Sequence, residues 1–302
     1  MTKIFPPFPQ EVGAVSCEDF YEQESLNHNL YLNLCLGDTS CPGRNKDWAD
    51  LGIVFPITEY RRPYVVWSRL IELVGDYKTA RTMYILSQYP MSSLDFLAVD
   101  LTKPSLMDYR MNYSPYLEFA KLSLIKSFSV FDKIATFLNE YEMLGIPDRR
   151  VRYWRHPNQQ AQTVFEHNSS QLMRNNPDNM PLKALESISI ELRDEHQLLI
   201  GVRNSLVHHY VVFHVFGPLD SHSYPLSDPE ERIMKDLSGE HSPDNPIHYH
   251  VLLDDFHLMV LHALKLARVA VLYTIRFVQS KENPKLHDLT VAPGPAVSGI
   301  FR

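Results

Sequence analysis

Three stretches of about 25 residues each repeat large apolar side chains at spacings of three and four, and that period decides the fold class. Between Tyr64 and Gln88 the stripe contains Val65, Trp67, Leu70, Ile71, Val74, Tyr77, Ala80, Tyr84 and Ile85. After Ser114-Pro115, an N-cap followed by a first-turn proline, it contains Leu117, Leu124, Phe128, Phe131, Ala135 and Leu138. Near the C-terminus it contains Leu252, Phe256, Met259, Ala263, Leu266, Ala270, Tyr273 and Phe277. Such stripes bury one helical face each, and no run alternates convincingly with period two. The expected fold is an all-α bundle.

Around these helices the chain divides into three parts. Residues 1–105 form a mixed, partly helical N-terminal annex, with a short helix from Glu18 to Leu36, the loop Gly37–Gly43 and a break point at Gly75-Asp76. Residues 106–283 form the helical domain. Gly145-Ile-Pro-Asp ends its longest helix, and an extended run from Arg149 to His156 and a polar stretch to Pro181 follow. Leu185, Ile188 and Leu192, then Leu199, Val202, Leu206, Tyr210, Phe213 and Phe216, predict one or two further helices stopped by Gly217-Pro218. Residues 217–246 hold five prolines and read as a long surface insertion, and the tail 284–302 is expected to be disordered.

Composition removes several functions. A net charge of −7 rules out nucleic-acid binding by bulk attraction, so any such contact requires a local basic patch. Glycine is scarce, and neither GxGxxG nor GxxxxGK[ST] occurs, so no cofactor is expected. Cys17, Cys35 and Cys41 lack a CxxC pair and read as reduced thiols. The N-terminus lacks the apolar run of a signal peptide, and His262, Lys265, Arg268 and Arg276 interrupt the most apolar long segment. A cytoplasmic protein without membrane contact is expected. His248, His250, Asp254 and His257 have spacings that suit a metal, but nothing supports them, and an ordinary polar face is the better reading; no metal is expected.

The chemistry concentrates in Gly201–Phe213, where Arg203, Asn204, Ser205, His208, His209 and Tyr210 interrupt an apolar helix. Asn204 and His208 are four apart and share a helical face, with Ser205 three before His208, so an amide and a hydroxyl can orient the imidazole. A histidine acid–base group beside a phosphate-binding arginine is the minimum for metal-free RNA cleavage. Arg203-Asn-Ser-Leu-Val-His208-His-Tyr210 resembles the Arg-x4-His-x-Tyr signature of the HEPN superfamily, and Phe128–Tyr141 resembles the long helix preceding that motif in one bacterial branch. The resemblance covers roughly residues 110 to 280. It implies a HEPN-like bundle that works as a homodimer with two motifs in one composite cleft. In many members it implies a metal-independent endoribonuclease serving as a toxin, an antiphage defence effector or an RNA-processing enzyme.

Carried over residue by residue, Arg203 and His208 are catalytic and Asn204 supports them. Tyr210 matches the position that in some toxin members is modified with AMP by an antitoxin, which makes an antitoxin or activating partner part of the expectation. Asp132, on a polar stripe with Ser129 and Thr136, is a candidate for orienting His208, against a solvated or salt-bridged face. His209 is a supporting candidate against simple exposure. Arg149, Arg150, Arg152, Trp154 and Arg155 would contact an RNA substrate through phosphates and stacked bases; the competing account packs the aromatics on the bundle. The alternative function is a non-catalytic dimer that binds a nucleotide or partner as a sensing or scaffold module.

Overall fold

The computed structural model describes residues 16–34, 40–41, 43–47, 61–89, 115–154, 163–166, 171–194, 196–208, 210–214 and 248–283. Among these are seven α-helices: α1 (Cys17–Asn27), α2 (Arg61–Gln88), α3 (Pro115–Tyr141), α4 (Gln171–Asn175), α5 (Met180–Asp194), α6 (Gln197–His208) and α7 (Leu253–Glu282). The protein is an all-α bundle, as its periodicity requires. A short parallel strand pair is added to it, β1 (Tyr210–His214) and β2 (His248–Leu252).

The core lies where α2, α3 and α7 meet. Their stripes supply Leu70, Tyr77, Leu124, Phe128, Phe131, Phe256 and Phe277, all buried. Thus α2, which the sequence placed in the annex, is a full member of the bundle. Gly75 does not break it; the helix runs through, and a side chain there would meet nothing nearby. Helix α1 ends earlier than expected, at Asn27, because Asn29 adopts a left-handed conformation with φ of 54°. Helix α3 stops where expected, through Met143 (φ 52°) and Gly145 (φ 72°), and Asn139 fixes the turn by bonding both the N–H and the carbonyl of Ile146.

Buried arginines tie the N-terminal segment to this core. Arg81 makes paired bonds of 2.8 and 2.9 Å to Asp47, and Asp47 also accepts from the backbone N–H of Leu32. Arg268 of α7 donates to the carbonyls of Tyr31 and Asn33. Helix α7 has the length and apolarity of a membrane span, but more than half of its most apolar stretch is buried in the bundle. One expectation about cysteine fails: Cys41 is disulfide-bonded, while Cys17 is free and exposed.

The helix predicted through Phe216 ends at His208 instead. Tyr210-Val-Val-Phe is dense in aromatic and β-branched residues, and it pairs in parallel register with His248–Leu252, Tyr210 opposite His248 and His214 opposite Leu252. The pair joins the end of α6 to the start of α7. The insertion 217–246 and the tail 284–302 lie outside the described residues.

After α3 the chain passes through a 3-10 turn (Asp148–Arg150) into the basic–aromatic run. Tyr153 is fully buried and donates 2.8 Å to the carbonyl of Leu185, while its own carbonyl accepts from Ser189. Burial pushes the Tyr153 hydroxyl pKa well up. Tyr153→Phe deletes the donor and leaves that carbonyl without it, so a loss of about 1 kcal/mol is expected in denaturant unfolding.

Candidate functional site

Helix α6 packs against α3 and carries the polar motif to its C-terminal end. Arg203 is mostly covered, with 21% of its side chain exposed, and its guanidinium lies over the Phe128 ring, 5.9 Å from the centroid. Phe128 is itself backed edge-on by Trp154 at 5.2 Å. This layered contact, with a cation on an aromatic face, fixes where the guanidinium sits. Arg203 Nη1 donates 2.9 Å to Asn204 Oδ1, and Nη2 lies 3.8 Å from Asp132 Oδ2. Its buried Nε has no hydrogen-bond partner among the described residues.

Asp132 stands half-exposed beside it. Partial burial among the helices raises its carboxyl pKa, against the charges of Arg203 and then Arg152, which pull it down; the net direction is upward. Arg152 is therefore near enough to act on the same carboxylate, which joins the basic run to the motif. His208 is the last residue of α6 and is exposed.

The arrangement departs from the sequence expectations at Asn204 and Ser205, and it takes the alternative reading at Asp132 and Trp154. Asn204 bonds Arg203, where it was expected to orient His208, because its amide meets the guanidinium of the adjacent residue first. Ser205 is buried, with 2% exposed, since its position on α6 faces the core. Asp132 pairs with Arg203 across the α3–α6 contact, the salt-bridged alternative to orienting the imidazole. Trp154 leans onto Phe128 and Phe131, at 5.2 and 6.2 Å, so of its two readings, base stacking or packing on the bundle, the ring takes the second. Arg149, Arg150 and Arg152 are exposed. His209 and Arg155 lie outside the described residues, and Tyr210 is described only as the first residue of β1.

The histidine spacing of the last helix also resolves. The half-buried His257 accepts a 2.7 Å bond at Nδ1 from Gln88 Nε2, and burial lowers its pKa against the opposing charge of Asp254. Among the described residues a different group, Glu191, His196 and His262, brings ligand atoms together. Sequence reading missed it, because His262 is far along the chain from the other two. A hollow of about 170 Å³ beside α5, lined in part by Phe165, Glu186 and Arg193, lies away from Arg203 and His208.

Asn204→Ala removes one of the groups that hold Arg203. An expected outcome is a loss of about tenfold in any activity that uses the guanidinium, with Tm shifted little, measured by cleavage assay and thermal melting.

An arginine held on an aromatic face, five residues before an exposed histidine on the same helix, offers a positive charge for a phosphate and a group that can exchange protons. No curated protein and no solved structure matches the chain. A family match does exist, to the family described as LA2681-like HEPN, and it runs over residues 60–281, from the start of α2 to the end of α7. With most of its length matched and its bundle built from the same span, the chain belongs to the LA2681-like HEPN family.

Proposed function

We propose that the protein is a metal-independent endoribonuclease of HEPN type, acting as a toxin or antiphage defence effector in the cytoplasm. The observation that carries this reading is Arg203, held by Phe128, Asn204 and Asp132, with exposed His208 at the end of the same helix. His208 takes the proton from a ribose 2′-hydroxyl, and the oxygen so activated attacks the adjacent phosphorus. Arg203 stabilises the charge that builds on the phosphorane oxygens. A second histidine, from the other protomer of a homodimer, protonates the departing 5′-oxygen. The P–O5′ bond breaks, and the products are a 2′,3′-cyclic phosphate and a 5′-hydroxyl.

In this reading Asn204 and Asp132 are positioning residues for Arg203. Exposed Arg149, Arg150 and Arg152 supply the local positive charge that an acidic protein needs to hold RNA. Tyr210, two residues after His208 at the start of β1, matches the position that some toxin members carry modified with AMP, which is where an antitoxin would act.

Product ends test the proposal. Incubated with RNA in EDTA, the protein is expected to leave cyclic phosphate and 5′-hydroxyl termini, readable by enzymatic end-labelling. Products bearing 5′-phosphates would contradict it. A non-catalytic sensing module would instead bind a nucleotide and leave RNA intact.

A further inference from the structure

We propose that Glu191, His196 and His262 form a binding site for a divalent first-row transition cation, with zinc the best fit, separate from the Arg203–His208 motif. The three side chains come from the last turn of α5, the residue just before α6 and the third turn of α7. His196 Nε2 lies 2.9 Å from His262 Nε2 and 3.2 Å from Glu191 Oε1, and His262 Nε2 lies 3.9 Å from the same carboxylate oxygen. A tetrahedral ion with bonds of about 2.0–2.1 Å spaces its ligand atoms about 3.3 Å apart. The observed separations bracket that value.

The pair of imidazoles is the telling feature. Two Nε2 atoms face each other, with ring centroids 4.4 Å apart, and a carboxylate oxygen converges on the same point. Without an ion, one proton must serve the contact between the nitrogens. A cation would use both lone pairs and the carboxylate at once. Two imidazoles and one carboxylate suit zinc, and the solvent side, where His262 is 43% exposed, leaves room for water as a further ligand.

The frame for these ligands is firm. The His196 carbonyl accepts from the Ile200 N–H at 3.0 Å, so His196 is anchored to the first turn of α6. A bound ion would tie α5, α6 and α7 together at the end of α6 opposite His208, about 18 Å away at 1.5 Å per residue. Its role would be to clamp the helix that carries the motif, outside the chemistry at His208.

The test is zinc titration of the full-length protein after chelator treatment and desalting, by calorimetry, with thermal melting alongside. One Zn²⁺ per chain and a rise in Tm on adding Zn²⁺ are expected. His262→Ala, which removes a partly exposed ligand and keeps the fold by circular dichroism, is expected to weaken binding by at least about 100-fold, beyond the loss of an outer partner. Glu191→Gln should weaken it less. His28→Ala, which removes a histidine paired with Glu24 on α1, should leave it unchanged. No saturable binding, which would leave an imidazole–imidazole hydrogen bond only, overturns the proposal. Equal binding by wild type and the His196→Ala/His262→Ala double variant overturns it as well. None of these readings depends on RNA cleavage, so the site stands or falls apart from the ribonuclease proposal.

Discussion

Replacing His208 by alanine is expected to lower RNA cleavage by about 10²–10⁴-fold, the range lost with a positioned acid–base group. The side chain is exposed at the end of α6, so its removal leaves no cavity, and Tm should change little. Arg203→Ala should cost cleavage a similar factor, because a guanidinium aimed at developing phosphorane charge acts in the transition state. It should also lower stability modestly, since it strips a cation from the Phe128 face. Arg203→Lys separates the two effects. It keeps the charge and loses the planar fork that meets Asn204 and Asp132, so cleavage should remain well below wild type. Paired measurement of cleavage rate and Tm for the three variants checks this.

The second large effect concerns stability. Arg81→Ala is expected to destabilise the protein by about 3–5 kcal/mol, because it leaves the largely buried Asp47 carboxylate without its main partner. Asp47→Ala should cost a similar amount, since it leaves the still more deeply buried Arg81 guanidinium without its counter-charge and the Leu32 N–H without its acceptor. Burial raises the Asp47 pKa, but the paired bonds and charge of Arg81, the Leu32 N–H and Lys78 outweigh it and hold the carboxyl below its usual range. A depressed folded pKa means stability that is fully present above the unfolded carboxylate range and lost as pH falls through the folded value. Wild type should therefore lose stability on acidification, and Arg81→Ala should show a flatter acid limb. Urea unfolding at neutral and acidic pH measures both.

Much of the bundle was legible because helix period is local. The stripes of α2, α3 and α7 announce which faces are buried, apart from Val65, Ile71 and Tyr273, which are exposed, and Ser114-Pro115 and Gly145 mark the ends of α3. The strand pair was not legible in that way. Tyr210 and Phe213 continue the three-and-four spacing of Leu206, so a helical stripe and a strand share the same letters there. What decides between them is pairing with His248–Leu252, a non-local contact that lies across the long insertion. Propensity alone, in Tyr-Val-Val-Phe, was the available signal.

The site divides along the same line. The Arg203-x4-His208 spacing is visible in the chain, while the partners of Arg203 depend on how α3 crosses α6 and on one side-chain rotamer. Asp132 was recognisable as a polar residue on the right helix, but only the crossing assigns it to Arg203. Tyr153 and Trp154 show why a basic–aromatic run is ambiguous: the Tyr153 ring goes into the core, Trp154 packs against it, and Arg149, Arg150 and Arg152 before them stay outside. The Glu191–His196–His262 group had no sequence signature, since its members meet only through the packing of α5 on α7.

The most direct measurement is cleavage of total RNA in EDTA by the purified wild-type protein and by His208→Ala, with melting curves confirming that both are folded. Cleavage by wild type and loss of it in the variant is the predicted result. Equal cleavage by the two folded proteins, or intact RNA with both, would contradict a metal-independent ribonuclease centred on His208.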